Sequence, residues 1–373
     1  MFFKKFFINY LVRRNKIVSS KKFQFLASKF FFSRIFVKSD GKKIYDLVAG
    51  FVYSQTLLSF VELGLLDKLL NKEHSIQEIS KYLDLNYDKA RLLCQSGAAI
   101  GILEIVKKDT YVLSRIGSAI VGVPGLQEMI CHHKIFYDDL KDPVELLKGK
   151  IDTKMSKFWP YIVNKNYSNI KKIPTFPISK KYSDLMASSQ ILVSEETLGI
   201  VSLKRTKHIL DIGGGTGTFL SEVKKSYPNI VTSLFDLKNV VRQINEKEKK
   251  HKAINNIFPG NFLEDNLPKV ADTISLVRVL YDHDDLIAQK ILRKVYNALP
   301  IDGTIIISEP MSGGDKPARA GDSYFGFYTL AMTTGKPRDK SMHFKLLKMA
   351  GFRKIKKHKG KRDFITSIIT AKK

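Results

Sequence analysis

The stretch "HILDIGGGTGTF" at positions 208–219 constrains the fold more than any other part of the chain. Ile209, Leu210, Asp211 and Ile212 form an apolar run with one acid inside it, which reads as a buried strand of a parallel sheet. Gly213, Gly215 and Gly217 follow directly. Glycines just past a strand end let the backbone turn tightly and approach a ligand closely. Two ligands fit such a turn, a dinucleotide and S-adenosylmethionine. The dinucleotide fingerprint G-x-G-x-x-G needs glycine at position 218, where this chain has Thr218. Asp211, two residues before the first glycine, would repel a pyrophosphate but could hold a cationic methionyl group. A structural turn in some other α/β protein carries the same glycines, so the flanking residues must decide.

"VTSLFDL" at 231–237 reads as the second strand and ends in Asp236, nineteen residues after Gly217, and Leu237. An acid about twenty residues on accepts hydrogen bonds from ribose hydroxyls in either ligand, so Asp236 points to a nucleoside without choosing between them. The segment "FPGNFLEDNLP" at 258–268 resembles the loop that covers adenine in methyltransferases, with Asn261 placed to pair with the base and Phe262 to pack on its face. An ordinary exposed loop with one aromatic is the alternative.

A chain of 373 residues has room for about two cored domains. Cys94 and Cys131 are its only cysteines, with no spacing that suggests a disulfide or zinc, and a reducing cytoplasm fits them. The net charge of +27 is unevenly spread. Residues 1–39 contain ten Lys or Arg and no acid, together with ten of the chain's 24 phenylalanines. Their apolar runs are short and broken by charge, unlike a transmembrane helix or a secretion signal. Basic and aromatic side chains clustered in this way suit an anionic membrane surface, peripheral on its inner face. Docking of the phenylalanines on the protein itself, or a nucleic-acid partner, are the competing readings.

Four regions are expected: a basic aromatic arm at 1–40, a helical domain at 41–122, connecting helices that wall a substrate pocket at 123–202, and the α/β domain at 203–373. "YDLVAGFVYSQTLLSFVELGLLDKLL" distributes apolar residues around most of a helix, which implies burial on more than one side, as at a subunit interface. Two short helices and a hairpin turning near Lys108 and Asp109 follow, the order of a winged helix-turn-helix. Such modules commonly bind DNA. The candidate recognition helix at 87–100, however, offers only Lys89 and Arg91 as bases and has Leu92, Leu93, Ala98 and Ala99 to bury. Packing is therefore expected of it, and nucleic acid is not an expected partner. His132 and His133 are adjacent in the next long helix and face different sides, which argues against a shared metal and leaves a pocket role for one of them. From position 206 strands and helices alternate, the pattern of a doubly wound sheet.

At this point the chain resembles a family. "LDIGGGTGTFL", "LFDL", "PGNF", "ISLVRVLYDHDD", "EPMSGGDKPARAGDSYFGFYTLAMTTGK" and "LLKMAGF" follow the order seen in class I S-adenosylmethionine-dependent O-methyltransferases of the plant caffeate and acetylserotonin type. The blocks "MICHHKIFYDDLKDPVELLKG" and "RAGDSYFGFYTLAMTTGK" look more closely like bacterial hydroxyneurosporene (demethylspheroidene) O-methyltransferases. The resemblance implies a mainly parallel seven-stranded α/β sheet behind a winged-helix dimerisation domain, and hence a homodimer. It also implies an S-adenosylmethionine site that takes in Arg278, no metal, and a hydrophobic small-molecule acceptor.

The chain departs from that family at one place. The histidine expected after the fourth strand is replaced by Tyr281, in the run Tyr281, Asp282, His283, Asp284, Asp285. A phenol with a pKa near 10 is a poor base at neutral pH, whereas His283 has a suitable intrinsic pKa. His283 is equally well placed to precede a helix capped by Asp284 and Asp285. Glu309 matches the glutamate that orients the family's histidine, and its partner here is expected to be Tyr281 or the acceptor hydroxyl. Three functions were open on sequence: methylation of a tertiary carotenoid alcohol, methylation of a small phenol or indole, and winged-helix gene regulation.

Overall fold

Three helices open the chain: α1 (Phe2–Val18), α2 (Lys21–Lys29) and α3 (Phe31–Glu62). In this computed structural model residues 2–158, 176–245 and 253–373 are described, and the chain divides into the units Met1–Gly117 and Ser118–Lys373. The part of the connecting region at 159–175 lies outside the described residues. Because α3 is continuous from Phe31, no break falls near position 40, where the sequence suggested the end of an arm.

The first unit continues with α4 (Leu65–Leu69), β1 (His74–Ser75), α5 (Ile76–Leu83), α6 (Tyr87–Ala99), β2 (Leu103–Lys107) and β3 (Thr110–Leu113). Its strands pair antiparallel in the order β1-β3-β2. Ser75 starts α5 with a capping box: its hydroxyl accepts the Glu78 N–H while the Glu78 carboxylate accepts the Ser75 N–H. Such a cap contributes about 1 kcal/mol. Helix α6 turns Ala90, Cys94 and Gly97 inward. A Cβ on Gly97 would stand 2.4 Å from the Phe60 ring, so only glycine lets α6 approach α3 this closely. The face of α6 differs from the sequence expectation, since Leu92 and Ala99 are exposed.

Helix α3 also differs. In the single chain only Leu58 and Phe60 of α3 are buried, while Leu47 is 83% and Phe51 70% exposed. By length and composition alone α3 is apolar enough to cross a bilayer.

Helix α7 (Arg115–Gly122) leads into the second unit, which begins with α8 (Leu126–Leu140), α9 (Pro143–Leu147), α10 (Lys154–Phe158) and α11 (Phe176–Leu198). Then come β4 (His208–Ile212), α12 (Thr218–Ser226), β5 (Val231–Asp236), α13 (Lys238–Asn245), β6 (Asn256–Pro259) and β7 (Thr273–Val277). The chain closes with α14 (Asp285–Ala298), β8 (Thr304–Glu309), a π-helical turn (Arg319–Tyr324), α15 (Phe325–Ala331), α16 (Lys340–Ala350), β9 (Arg353–Lys357) and β10 (Ser367–Lys372). The seven strands lie in the order β6-β5-β4-β7-β8-β10-β9. β4 to β8 pair in parallel, and β10 runs antiparallel to both β8 and β9.

Alternation along the strands supplies both faces of the sheet. Leu210, Ile212, Leu276 and Ile307 pack under α14 and α16, while Ile209, Val277 and Ile306 pack with Phe219, Leu220 and Val223 of α12. Chain order reverses between β4 and β7, and the crevice outside the carboxyl ends of strands at such a switch point is where open α/β sheets bind ligands.

Candidate active site

A cavity lies at that switch point, lined by residues from both sides of it. Its floor is the turn after β4. Gly213, Gly215 and Gly217 all have positive φ, 68°, 61° and 80°, which explains why every second residue is glycine. Their surroundings differ. A Cβ on Gly215 would meet nothing within 4 Å, as expected for a residue facing the open cavity, whereas one on Gly217 would collide with Ile254 at 2.4 Å. Gly213 and Gly215 therefore line the cavity, and Gly217 serves the packing of the turn into α12.

Asp236 ends β5, lines the cavity and is held by the backbone. Its Oδ2 accepts the Gly215 N–H at 2.7 Å and its Oδ1 the Leu237 N–H at 2.6 Å. Burial pushes its pKa up to about 7 against the pull of those two N–H groups. Leu237 contributes that N–H. Phe262 lines the cavity, but Asn261 is used by its own loop: its side-chain oxygen accepts the Leu263 N–H, and its N–H goes to Asp265. Asp211 is likewise placed differently from the sequence reading. It is fully buried, accepts the Ser275 hydroxyl at 2.6 Å, and packs so tightly under Gly214 that a Cβ there would stand 2.3 Å from Oδ2. It supports the turn from below, and burial raises its pKa to about 7.

The opposite wall starts at Arg278, just past β7, whose φ of 59° is unusual for a non-glycine residue. Its N–H bonds the Ser308 carbonyl, and its guanidinium donates to Ser189 Oγ at 2.8 Å and to Met186 Sδ at 3.4 Å. Tyr281 and Asp282 belong to a 3₁₀ turn (Leu280–Asp282), and both line the cavity with His283. Burial raises the Tyr281 phenol well above its ordinary range. His283 stands edge-on to Phe262, ring centres 5.5 Å apart, and burial lowers its pKa to about 4. Asp284 alone caps α14, accepting the Ile287 N–H. Asp285 instead binds Lys336 and Arg338.

Glu309 does not line the cavity. Its Oε2 accepts the backbone N–H of Tyr281 rather than the phenol, at 3.1 Å. Its Oε1 lies 3.3 Å from His343 Nε2. Burial pushes Glu309 up to about 7 and His343 down to about 3, so the imidazole is neutral and this contact is not an ion pair at neutral pH.

Several supports were not anticipated from sequence. Arg338, 2% exposed, donates to the carbonyls of Leu280 (2.7 Å) and His283 (2.6 Å) and to Asp285, stitching the turn that carries Tyr281 and Asp282. A Cβ on Gly335, at φ 72°, would lie 2.1 Å from the Tyr281 carbonyl oxygen. Gly335 lies inside the quoted block that ends "AMTTGK" and Arg338 two residues past it, yet nothing local marks either as a support. Beside Tyr281 an aromatic wall is tied together by two histidines. His132 bonds the Tyr328 hydroxyl at 3.0 Å, and His133 the Tyr324 hydroxyl at 2.6 Å. Both imidazoles are pushed down by burial, His132 to about 4. Phe136, Met155 and Met332 fill the cluster behind them.

The left-handed glycine floor and the doubly held Asp236 fit the methionine and ribose parts of S-adenosylmethionine. Residues 137–353 match the O-methyltransferase domain family. The demethylspheroidene O-methyltransferase of Rhodobacter capsulatus is 40% identical over 336 residues, 90% of this chain and 83% of that protein. That of Cereibacter sphaeroides is 37% identical over 358 residues, 95% and 93% of the two chains. Human N-acetylserotonin methyltransferase, solved with S-adenosylmethionine, shares the fold with a TM-score of 0.76 at 20% identity, over 90% of this chain and 97% of its own. The chain belongs to the O-methyltransferase family and is an S-adenosylmethionine-dependent enzyme.

Proposed function

We propose that the enzyme methylates the tertiary 1-hydroxyl of an acyclic carotenoid of the hydroxyneurosporene type. The observation that carries this reading is identity of 40% and 37%, across nearly the whole chain, to two demethylspheroidene O-methyltransferases. The aromatic wall of Tyr324, Phe325 and Tyr328, backed by Phe136 and Met332, supports an apolar acceptor.

When bound, S-adenosylmethionine supplies an electrophilic methyl on a sulfonium, and transfer is an in-line displacement. What remains for the protein is alignment, which can contribute much of the rate. Asp236 accepts the ribose hydroxyls, Gly213 and Gly215 give the cofactor room, and Arg278 holds the wall next to Tyr281. The loss of the family's histidine at position 281, where a buried phenol stands, counts against methylation of a small phenol or indole. Purified enzyme, S-adenosylmethionine and 1-hydroxyneurosporene should give the 1-methoxy product, and a catechol assayed in parallel should not be methylated. No turnover with any hydroxylated carotenoid would reject the acceptor assignment.

The exposed apolar face of α3 supports a homodimer through the first unit, as an apolar patch of that size calls for a partner. Helices α1 and α2 expose Phe6, Phe7, Phe25 and Leu26 among ten basic residues upstream of position 39, which supports peripheral contact with an anionic bilayer. Because α3 begins at Phe31, a deletion of residues 1–30 isolates the arm. It should leave S-adenosylmethionine affinity unchanged and abolish sedimentation with anionic vesicles. Equal sedimentation of both forms would discard the membrane reading.

A further inference from the structure

Asp282 is 3% exposed, lines the cavity between Tyr281 and His283, and its Oδ1 has no hydrogen-bond partner among the described residues. Buried polar atoms are nearly always satisfied, so an orphaned oxygen on a carboxyl that lines a ligand cavity makes that carboxyl a candidate to meet a ligand donor. The backbone that carries this carboxyl is held in place. A Cβ on Gly335 would stand 2.4 Å from the Asp282 carbonyl carbon, and Arg338 clamps the carbonyls of Leu280 and His283 on either side.

The other candidates in the cavity are engaged or unsuited. Both oxygens of Asp236 take backbone N–H groups. His283 is neutral and packs on Phe262. Glu309 lies behind the cavity and holds the Tyr281 backbone. The charged or titratable groups acting on Asp282 are Arg278, Tyr281, Glu309 and Tyr328. Burial raises its pKa well above the ordinary range, Glu309 adds to that, and Arg278 and Tyr281 oppose it.

We propose that Asp282 accepts the hydroxyl proton of the acceptor alcohol and presents the negative charge that a cationic methyl donor meets in this cavity. The inference rests on the acceptor reading above. A lone pair of the acceptor oxygen forms the new O–CH₃ bond, and the CH₃–S bond breaks with its electron pair left on sulfur. The oxygen's proton passes to the Asp282 carboxylate and from there to water. A tertiary alcohol is too weak an acid to be deprotonated beforehand, but its oxygen becomes strongly acidic as the methyl arrives, and a carboxylate then suffices. Charge favours the same order of events. A cation in the cavity stabilises ionised Asp282, and loss of that positive charge on transfer favours the protonated form.

The test compares S-adenosylmethionine with S-adenosylhomocysteine, which lacks the positive charge. Calorimetry in buffers of differing ionisation enthalpy should show that the sulfonium releases more protons on binding than the thioether does. Asp282→Asn should lose that excess while keeping its affinity for S-adenosylhomocysteine. Contributions from Asp236 persist in the variant, so the difference between wild type and Asp282→Asn isolates Asp282. With the carotenoid alcohol, Asp282→Asn should lower kcat by about 10² to 10⁴, the size of a general-base contribution. A variant that keeps the proton excess, or turns over within about tenfold of wild type, overturns the proposal. If the variant fails to fold, wild type decides alone. Its affinity ratio for the two ligands should rise with pH as the carboxyl ionises, and a ratio that stays flat wherever the protein is folded refutes the idea. These binding measurements need no acceptor, so failure of every carotenoid would reject the substrate and still leave Asp282 judged.

Discussion

Asp236 and Asp282 are buried carboxylates in the same cavity, one ending β5 and the other just past β7, and they are held in opposite ways. Both oxygens of Asp236 receive backbone N–H groups from its own strand end and from the glycine turn. Oδ1 of Asp282 receives none, and its position is imposed from outside by Gly335 and Arg338, more than fifty residues away in sequence. One side of the cavity is built from backbone in one β-α-β unit. The opposite side is assembled from side chains of α11 and of the segment that follows β7. Backbone-built sites are rigid by construction, whereas side-chain sites depend on distant supports.

The most severe way to break this comparison is to remove a distant support. Gly335→Ala puts a methyl group 2.1 Å from the Tyr281 carbonyl oxygen at a φ of 72°. The 3₁₀ turn must shift, and since a misplacement of about 1 Å can cost 10²-fold, kcat should fall by at least that much. Affinity for S-adenosylhomocysteine should change far less, because the β4 and β5 ends are untouched. Equal losses in both would show that the two halves are not separable.

Next in size is Asp236→Ala. Hydrogen bonds to a charged group contribute about 1.5 to 3 kcal/mol each, so loss of the ribose contacts should weaken S-adenosylmethionine binding by at least about tenfold. The raised pKa adds a pH dependence. An acceptor of ribose hydroxyls must be ionised, and Asp236 in the free protein titrates near 7. Wild-type affinity should therefore decline as pH falls below about 7, and the alanine variant should lack that decline. An unchanged dissociation constant by calorimetry would remove Asp236 from the site.

The same contrast explains what was legible in the sequence. Strand, alternating glycines, strand and acid lie within thirty residues, so the doubly wound sheet and Asp236 could be read directly. Asp211 was misplaced because spacing does not say whether an acid points into a cavity or under a turn, and here it bonds Ser275 beneath Gly214. The side-chain oxygen of Asn261 is shared with its own loop, a contact that spacing alone does not show. Strand β9, "RKIKK", carries no apolar alternation, so its charged edge position leaves no strand signal in the sequence. Glu309 was expected to partner Tyr281 or the acceptor hydroxyl, and it meets Tyr281 through the backbone N–H. Arg338 and Gly335 had no local signature, since their partners exist only after folding.

Tyr281→Phe should have a smaller effect. The phenol has Arg278 and Asp282 as neighbours and a pKa raised by burial, so it stays protonated. Removing an orienting hydroxyl should lower kcat by less than about tenfold, with no new break in the pH profile. A loss in the general-base range would move the proton acceptor from Asp282 to this phenol.

The smallest activity effect is expected at His283, which sequence reading offered as a base. Its imidazole is packed against Phe262, and its pKa near 4 leaves it a weak base that is already neutral at every physiological pH. His283→Ala should therefore change kcat by less than about tenfold, below the general-base range. Its signature should appear in stability instead. An unfolded histidine binds a proton below about 6.5, whereas the folded one does so only near 4. Between those values the unfolded chain holds the extra proton, so the folded state loses stability as pH falls. The alanine variant loses packing at all pH values but escapes this particular penalty. Its deficit against wild type in urea unfolding should shrink between about pH 7 and pH 5. A constant deficit would mean that the imidazole titrates normally in the folded protein. A loss of turnover above about a hundredfold with the fold intact would make His283, not Asp282, the group that takes the proton.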